Sequence, residues 1–480
     1  MTSTRLLALG AAFVLALLST VGASANVALV QVSSDPFTNT TSQHRTEVEP
    51  DTLSAGSTEV SAFQVGRFTD GGASDIGWAT TTNSGGTWTH GFLPGITKYL
   101  GAGPYDRVSD PSVAYDARHN VWLISSLPIL ETPSIHGPAV IVSRSTDGGL
   151  TWGNPVTIAT GSDTDKNWTV CDNTPSSPFY GNCYTEWDNH GAGNLLQMNT
   201  SSDGGLTWGP SRSTANNATV IGGQPVVQPN GTVVVPIDNA NETALLSFVS
   251  TNGGASWGST VTVATISSHT VAGNLRSGPL PSAEVDGAGR VYVVWQDSRF
   301  ERGRANDIVM STSSDGLTWS PVTRIPLDGV SSGVDHFIPG LAVDKATSGS
   351  TAHLGLTFYY YPTAKCNTSS CRLDVGFSSS SDGGATWTAK TQLAGPMVVT
   401  WLPTTTQGYM VGDYISTSFS SGTSHPVIAV ANAPTGGVFD EAMYSPAAGL
   451  SRAAVVLTRA DRPVANGTSD HSPSAAVTHR

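Results

Sequence analysis

Charged residues are scarce in this chain of 480 residues. Asp, Glu, Lys and Arg make up 12% of it, about half of the roughly 25% that is typical of soluble proteins. No basic run occurs, and the formal net charge is −13. A chain with this charge repels the phosphate backbone of nucleic acids and anionic membrane surfaces. We therefore expect no nucleic acid among its partners.

Long apolar runs are also missing beyond the N-terminus, where none approaches the ~20 residues needed to span a bilayer. The exception is the stretch 6–21, which follows Arg5 and ends close to the small residues 23–25. This order is typical of a secretory signal peptide, with a membrane anchor as the alternative. We predict a signal peptide at 1–25, no membrane insertion, and a secreted, extracellular mature protein.

Cysteine is rare, with four residues in the chain. Cys171 and Cys183 flank a predicted hairpin, and Cys366 and Cys371 flank a short loop. In an oxidising compartment this spacing favours two local disulfides. The alternative is a zinc site, but neither pair has CxxC spacing and no His lies at a ligand interval.

The abundant residues favour short strands joined by tight turns. The chain has 52 Gly and 28 Pro, and apolar residues, 38% of the total, recur in short runs. One octapeptide, Ser/Thr-x-Asp/Asn-x-Gly-x-Thr/Ser-Trp, occurs five times in full and once shortened by a residue. The copies, in chain order, are 81–88, 145–152, 201–208, 250–257, 313–319 and 380–387.

Each copy of this box predicts a turn with a structural role. Its Asp can accept hydrogen bonds from the turn's N–H groups, its Gly allows positive φ, and its Trp buries apolar surface. Between the boxes a strand, a turn and an apolar strand recur, as at 110–125 and 281–295. We predict an all-β propeller over residues 26–447, with four-stranded blades and each box between strands three and four. Seven blades closed by an N-terminal strand are expected, six are the alternative, and 448–480 is expected to be a flexible tail.

The boxes resemble the Asp-box, or BNR, repeats of the sialidase (neuraminidase) superfamily over about residues 45–447. This resemblance implies a site at one end of the central channel and activity on terminal sugars. It also implies a Tyr nucleophile activated by Glu, an Asp acid/base, and three Arg that hold the substrate carboxylate. The Arg-Ile-Pro motif of the family is absent, and the nearest candidates for its Arg are Arg45 and Arg107.

Polar residues gather where the predicted inner strands begin, which is the channel end of a propeller. Our first hypothesis is an exo-acting glycoside hydrolase of sialidase type, in which Tyr414 is the nucleophile and Glu284 its base. The acid is then Asp110 or Asp165. The candidate substrate-binding residues are Arg107, Lys166, Arg276, Arg299, Asp335, His336 and Asp413.

Two other hypotheses use the same residues. A non-catalytic propeller that binds glycan or protein is favoured by the missing Arg-Ile-Pro motif. A Ca²⁺ ion in the channel is the third, because Asp110, Asp165, Asp335 and Asp413 offer hard oxygen ligands. Otherwise we expect no cofactor, a carbohydrate ligand and a monomer.

Overall fold

Antiparallel strands form almost all of the regular structure. The computed structural model describes residues 27–451 and 456–458, so the predicted signal peptide and most of the predicted tail lie outside the described residues. Three 3₁₀ turns, His190–Ala192, Gly349–Thr351 and Val399–Trp401, are the helical elements in this part of the chain. None of the helices described is long and apolar enough to cross a membrane.

The strands are numbered along the chain. The first sixteen are β1 (Leu29–Gln31), β2 (Glu47–Ala55), β3 (Thr58–Arg67), β4 (Ala73–Thr81), β5 (Thr89–Phe92), β6 (Arg107–Asp116), β7 (Val121–Ile129), β8 (Ala139–Ser145), β9 (Val156–Thr160), β10 (Thr164–Cys171), β11 (Cys183–Asn189), β12 (Leu195–Ser201), β13 (Val220–Ile221), β14 (Val226–Val227), β15 (Val233–Asn239) and β16 (Ala244–Ser250). The others are β17 (Val261–Thr265), β18 (Ser282–Val285), β19 (Val291–Asp297), β20 (Asp307–Ser313), β21 (Thr323–Arg324), β22 (Asp335–Val343), β23 (Leu354–Tyr361), β24 (Arg372–Ser380), β25 (Thr386–Thr388), β26 (Thr391–Val398), β27 (Thr404–Thr405), β28 (Gly408–Tyr409), β29 (Ser416–Ser420), β30 (Thr423–Ala431), β31 (Glu441–Pro446) and β32 (Val456–Thr458).

The innermost strands form a ring around a central channel. Contacts link β2 to β6, β6 to β10, β10 to β14, β14 to β18, β18 to β22 and β22 to β29, and β29 returns to β2. From each inner strand the chain moves outward by antiparallel pairing. The predicted all-β propeller is thus confirmed.

The predicted count of seven, or six, separate four-stranded blades is wrong. Five sheets of three to five strands stand apart, namely β10–β12, β13–β17, β18–β21, the sheet of β22, β23, β24 and β26, and the sheet of β1, β31, β30 and β29. Strands β2 to β9 form one eight-stranded sheet. They are continuous because Ala73 of β4 pairs with Val108 of β6, and this single residue pair joins two outward-running units.

The first and the last of the described strands each pair with a strand that is distant in sequence. Strand β1 pairs with β31, with Val30 opposite Ser445. Strand β32, which lies in the segment predicted as a tail, pairs with β25. The hydrophobic core lies between neighbouring sheets, as where Val294 of β19 and Leu341 of β22 join one buried cluster with Phe358 of β23. Burying a side chain of this size contributes about 1.5–3 kcal/mol.

The box turns show why the octapeptide recurs. In the box that follows β8, Asp147 Oδ1 accepts hydrogen bonds from the backbone N–H groups of Leu150 at 3.1 Å and Thr151 at 2.9 Å. Its Oδ2 accepts from the Thr151 hydroxyl at 2.6 Å, and the Ser145 hydroxyl donates to Oδ1 at 2.8 Å. Trp152 Nε1 donates to the carbonyl of Gly149 at 3.2 Å. The side chains of Ser145, Asp147, Thr151 and Trp152 all bond within the turn, so the box stabilises the fold.

Both predicted disulfides are confirmed. Cys171 is bonded to Cys183, its direct cross-strand partner on β11. Cys366 is bonded to Cys371 across the loop before β24. Such bonds fit an oxidising, extracellular compartment.

Candidate functional site

A repeated bulge shapes the inner strands. Four inner strands, β2, β6, β10 and β22, each contain a β-bulge, at which the register with the partner strand shifts. In each bulge one non-glycine residue has a positive φ. These residues are Glu49 (57°), Asp110 (49°), Lys166 (40°) and Ile338 (49°). A left-handed backbone conformation is unfavourable for residues other than glycine, so contacts with the surrounding strands must stabilise these bulges. The bulges of three different strands thereby bring three ionisable side chains together.

A buried ion cluster lies at this level of the channel, formed by Glu49, Asp110, Lys166, Arg276 and Asp413. Lys166 Nζ lies 2.7 Å from Asp413 Oδ2, 3.5 Å from Asp110 and 4.0 Å from Glu49. Arg276 donates from Nε to Asp413 Oδ1 at 2.7 Å, and a second bond joins the same two side chains. The Asp413 backbone N–H donates to Glu49 at 3.1 Å. One carboxylate therefore neutralises two cations away from water.

The electrostatics of the cluster follow from burial and pairing. Burial raises the pKa of Glu49 to about 7, although the charge of Lys166 lowers it. Burial alone would lower the pKa of Lys166, but the neighbouring carboxylates of Asp110 and Asp413 raise it above its usual value. Both cations hence remain charged, and the cluster is a closed network of ion pairs.

Tyr414 packs against this cluster. Its hydroxyl donates to the carbonyl of Pro111 at 3.1 Å, and its ring meets Trp168 edge to face at 5.2 Å. Burial raises its pKa well above the ordinary value, and the charge of Glu49 adds to that effect. In this structure the hydroxyl is held as a neutral hydrogen-bond donor.

The three predicted substrate-binding arginines each bind a different carboxylate. Arg276 binds Asp413, as described. Arg107 contacts Asp70 at 2.5 Å and Glu131 at 2.8 Å. Arg299 binds Asp297, at 2.8 Å. The structure therefore does not bring these guanidinium groups onto one common position, and their role toward a substrate stays a prediction.

The other predicted polar residues lie at separate places on the inner strands. Asp165 stands opposite Asp188 in the β10–β11 register. Asp335 accepts two hydrogen bonds from Asn306, at 2.7 and 3.0 Å, and burial raises its pKa to about 7. His336 is fully buried. The four carboxylates proposed for Ca²⁺ do not form a close ligand group among the described residues, since Asp110 and Asp413 instead flank Lys166.

Glu284 lines a separate cavity, which we call the channel cavity. This cavity has a volume of about 310 Å³ and is lined by inner strands from all around the ring. The lining residues with polar or aromatic side chains include Asp51, Tyr115, Trp168, Gln224, Glu284 and Lys345. Glu284 is the one residue of β18 that is partly exposed. Burial raises its pKa, and Lys345 opposes that shift.

Asp51 is another carboxyl group that lines the channel cavity, besides Glu284 and Asp286. It accepts backbone hydrogen bonds from Val113 at 2.6 Å and Thr52 at 2.8 Å. Burial nevertheless raises its pKa to about 7, and the charge of Glu284 adds to the rise. The cavity thus combines two carboxyl groups of raised pKa with the partly exposed indole of Trp168.

Sequence reasoning missed Glu49, Asp51 and Trp168 as candidate site residues. A signal for Glu49 was present, because Glu49-Pro50 occupies the same strand position as Asp110-Pro111. Trp168 and Tyr414 are far apart in sequence, and their rings meet because the ring of inner strands closes.

Comparison with known proteins identifies one family domain. Residues 136–340, less than half of the chain, match the model of the BNR repeat-like domain. This match confirms the predicted resemblance to a sialidase-like BNR propeller. A search of curated proteins finds no match.

Solved structures with a similar fold share little sequence with this chain. A protein of unknown function from Dyadobacter fermentans is 15% identical, with 76% of this chain and 98% of that chain covered and a TM-score of 0.45. The Hadza microbial sialidase is 16% identical, with 85% and 66% covered and a TM-score of 0.43. For the Trypanosoma rangeli sialidase the identity is 12%, the coverage 88% and 59%, and the TM-score 0.46. The chain thus spans less than two thirds of either sialidase.

Proposed function

Since the chain carries a BNR repeat-like domain on a β-propeller, we propose that it is a secreted protein that binds a glycan in its channel cavity. The observation that carries the proposal is the lining of this cavity. A space of about 310 Å³ is of the size that holds small ligands, and its lining mixes apolar and polar side chains. Trp168 offers an apolar face for a sugar ring, and Glu284 and Gln224 offer hydrogen-bonding groups for hydroxyls.

The charges of the cavity favour a neutral sugar over sialic acid. Asp51, Glu284 and Asp286 are the carboxyl groups of the lining, and Lys345 is its one cationic side chain. A substrate carboxylate is best held by arginine pairs. The three predicted arginines, Arg107, Arg276 and Arg299, are already ion-paired elsewhere. We therefore propose a neutral glycan as the ligand.

The test is a glycan array followed by calorimetric titration of the best neutral ligand. Glu284→Gln keeps the side-chain shape but removes the charge, and we expect at least a tenfold loss of affinity. Glu242→Gln, in the turn between β15 and β16 and outside the cavity lining, is the matched control and should bind normally. Equal affinities for the two variants would refute the assignment of the cavity.

Hydrolysis of the bound glycan is the second candidate function. It is favoured by the presence of two carboxyl groups in one cavity, Asp51 and Glu284, because glycosidases use a pair of carboxyl groups of which the acid has a raised pKa. A sialidase-type step through Tyr414, with Glu284 as its base and Asp110 or Asp165 as the acid, also stays a hypothesis. It would require the Tyr414 hydroxyl to leave the carbonyl of Pro111.

A panel of fluorogenic glycosides, sialosides included, separates these possibilities. Loss of turnover in Tyr414→Phe would support the sialidase-type step. Turnover that survives this change but is lost in Asp51→Asn would assign the reaction to the cavity carboxyl pair. If the protein binds a glycan but turns over none of these substrates, glycan binding without hydrolysis would remain as its function.

A further inference from the structure

A second group of ionisable residues lies between two sheets, outside the ion cluster and the channel cavity. Asp307 begins β20, Asp328 follows β21, and His336 belongs to β22. One possible ligand atom from each of the three lies within 4.8 Å of those of the other two. Asp307 and His336 are buried, and Asp328 is half-buried. Three elements of two sheets thus meet at one point.

Arg324 fixes the two carboxylates of this group. Its Nη2 lies 2.8 Å from Asp307 Oδ1, and it also bonds Asp328 Oδ1. The second oxygen of each carboxylate is left for another partner. Asp307 Oδ2 is buried and has no hydrogen bond. Asp328 Oδ2 accepts one from Ser332 at 2.8 Å and retains further lone pairs.

His336 supplies an independent sign that a ligand belongs here. The side chain is fully buried, yet neither ring nitrogen has a hydrogen-bond partner. Its Nε2 lies 3.8 Å from Asp328 Oδ2, and its ring is fixed by contacts with Phe358 and Tyr360 at 5.4 and 5.9 Å. A buried imidazole without any partner is unfavourable, because it has lost its hydration and gained nothing in return.

We propose that Asp307, Asp328 and His336 form a binding site for a divalent transition-metal ion such as Zn²⁺. One imidazole nitrogen and two carboxylate oxygens are ligands that Zn²⁺ and its neighbours in the first transition row accept. Bonds of about 2.0–2.2 Å require ligand atoms about 3–4 Å apart. The three candidate ligand atoms lie within 4.8 Å of one another, so the group has to contract when the ion binds.

A metal ion at this site would connect two neighbouring sheets of the propeller. An ion bound there would join β20 and the segment after β21 to β22 of the next sheet, and so would strengthen the contact between two neighbouring sheets. Arg324 acts as a positioning residue, because it orients both carboxylates. Its charge also opposes a cation, so we expect affinity in the micromolar range rather than tighter.

The experiment is calorimetric titration of the chelator-treated mature protein with Zn²⁺, and with Co²⁺ for its absorption spectrum. We expect one saturable site per chain, a visible Co²⁺ band, and a melting temperature that rises with Zn²⁺ concentration. His336→Gln should weaken binding at least tenfold. His353→Gln is the control, since this half-exposed histidine lies 3.7 Å from one carboxylate, that of Asp344, and belongs to no triad.

A further variant keeps the test decisive if the His336 change disturbs the core. Asp328→Asn alters a residue of a loop, and it should also weaken Zn²⁺ binding at least tenfold while leaving circular dichroism unchanged. Absence of saturable binding in the native protein would overturn the proposal. Equal affinity in native protein, Asp328→Asn and His353→Gln would overturn it as well, because the bound ion would then lie elsewhere.

Discussion

The ion cluster makes a quantitative prediction through Asp413. Its carboxylate accepts from Lys166 Nζ at 2.7 Å and from Arg276 Nε at 2.7 Å, and all three side chains are at least 96% buried. Asp413→Asn would leave two cations without their common counter-charge. Removing one partner of a buried ion pair costs about 3–5 kcal/mol. We expect a loss in the upper part of this range, because one carboxylate serves two partners.

The assay is urea unfolding at neutral pH, with the free energy of unfolding taken from midpoint and slope. Asp440→Asn is the matched control. Asp440 pairs with Arg45, but these side chains are 34% and 53% exposed, so the pair contributes about 0–1 kcal/mol. If Asp413→Asn destabilises the protein no more than Asp440→Asn does, the buried ion pairs of Asp413 do not stabilise the fold.

Three further predictions concern stability and ionisation. Replacing Cys171 and Cys183 together by Ala should lower the free energy of unfolding by about 3 kcal/mol, because their disulfide closes a loop with a sequence separation of 12. An unchanged midpoint of urea unfolding would contradict this prediction. Burial raises the pKa of Glu59 from 4.5 to about 8, so its stabilising contribution is complete below about pH 4.5 and is lost as the pH rises to about 8. The free energy of unfolding should fall over that window, and Glu59→Gln should reduce the slope. For Asp147, burial raises the pKa, but the hydrogen bonds from Thr151 and Ser145 outweigh burial and lower the pKa from 3.8 to about 2. The contribution of this carboxylate to stability is therefore present above pH 3.8 and is lost as the pH falls through 2. A titration midpoint of the Asp147 carboxyl group near 4, measured by NMR, would refute this role of the hydrogen bonds.

The fold could be predicted because its turns are encoded locally. The hydrogen bonds of the box around Asp147 join residues at most four positions apart. Such chemistry is visible in any single copy and recurs along the chain. The number of separate sheets was not predictable in this way. It depends on one pairing between two repeats, Ala73 with Val108, which no local motif indicates.

The candidate site could be predicted only in part, because its contacts depend on closure of the ring. Sequence position alone indicated that Asp110, Lys166, Arg276 and Asp413 begin inner strands, and these four do lie together. Their mutual pairing was hidden, since Lys166 and Asp413 are 247 residues apart. The prediction therefore assigned Lys166, Arg276 and Asp413 to a substrate, whereas in the structure they pair with one another.

A crystal structure of the protein with its best neutral glycan would show whether the channel cavity is the glycan-binding site. We expect electron density for a sugar ring in the channel cavity, packed against the Trp168 indole and hydrogen-bonded to Glu284. Density at the ion cluster around Asp413, or on the outer surface with the cavity filled by water alone, would contradict it.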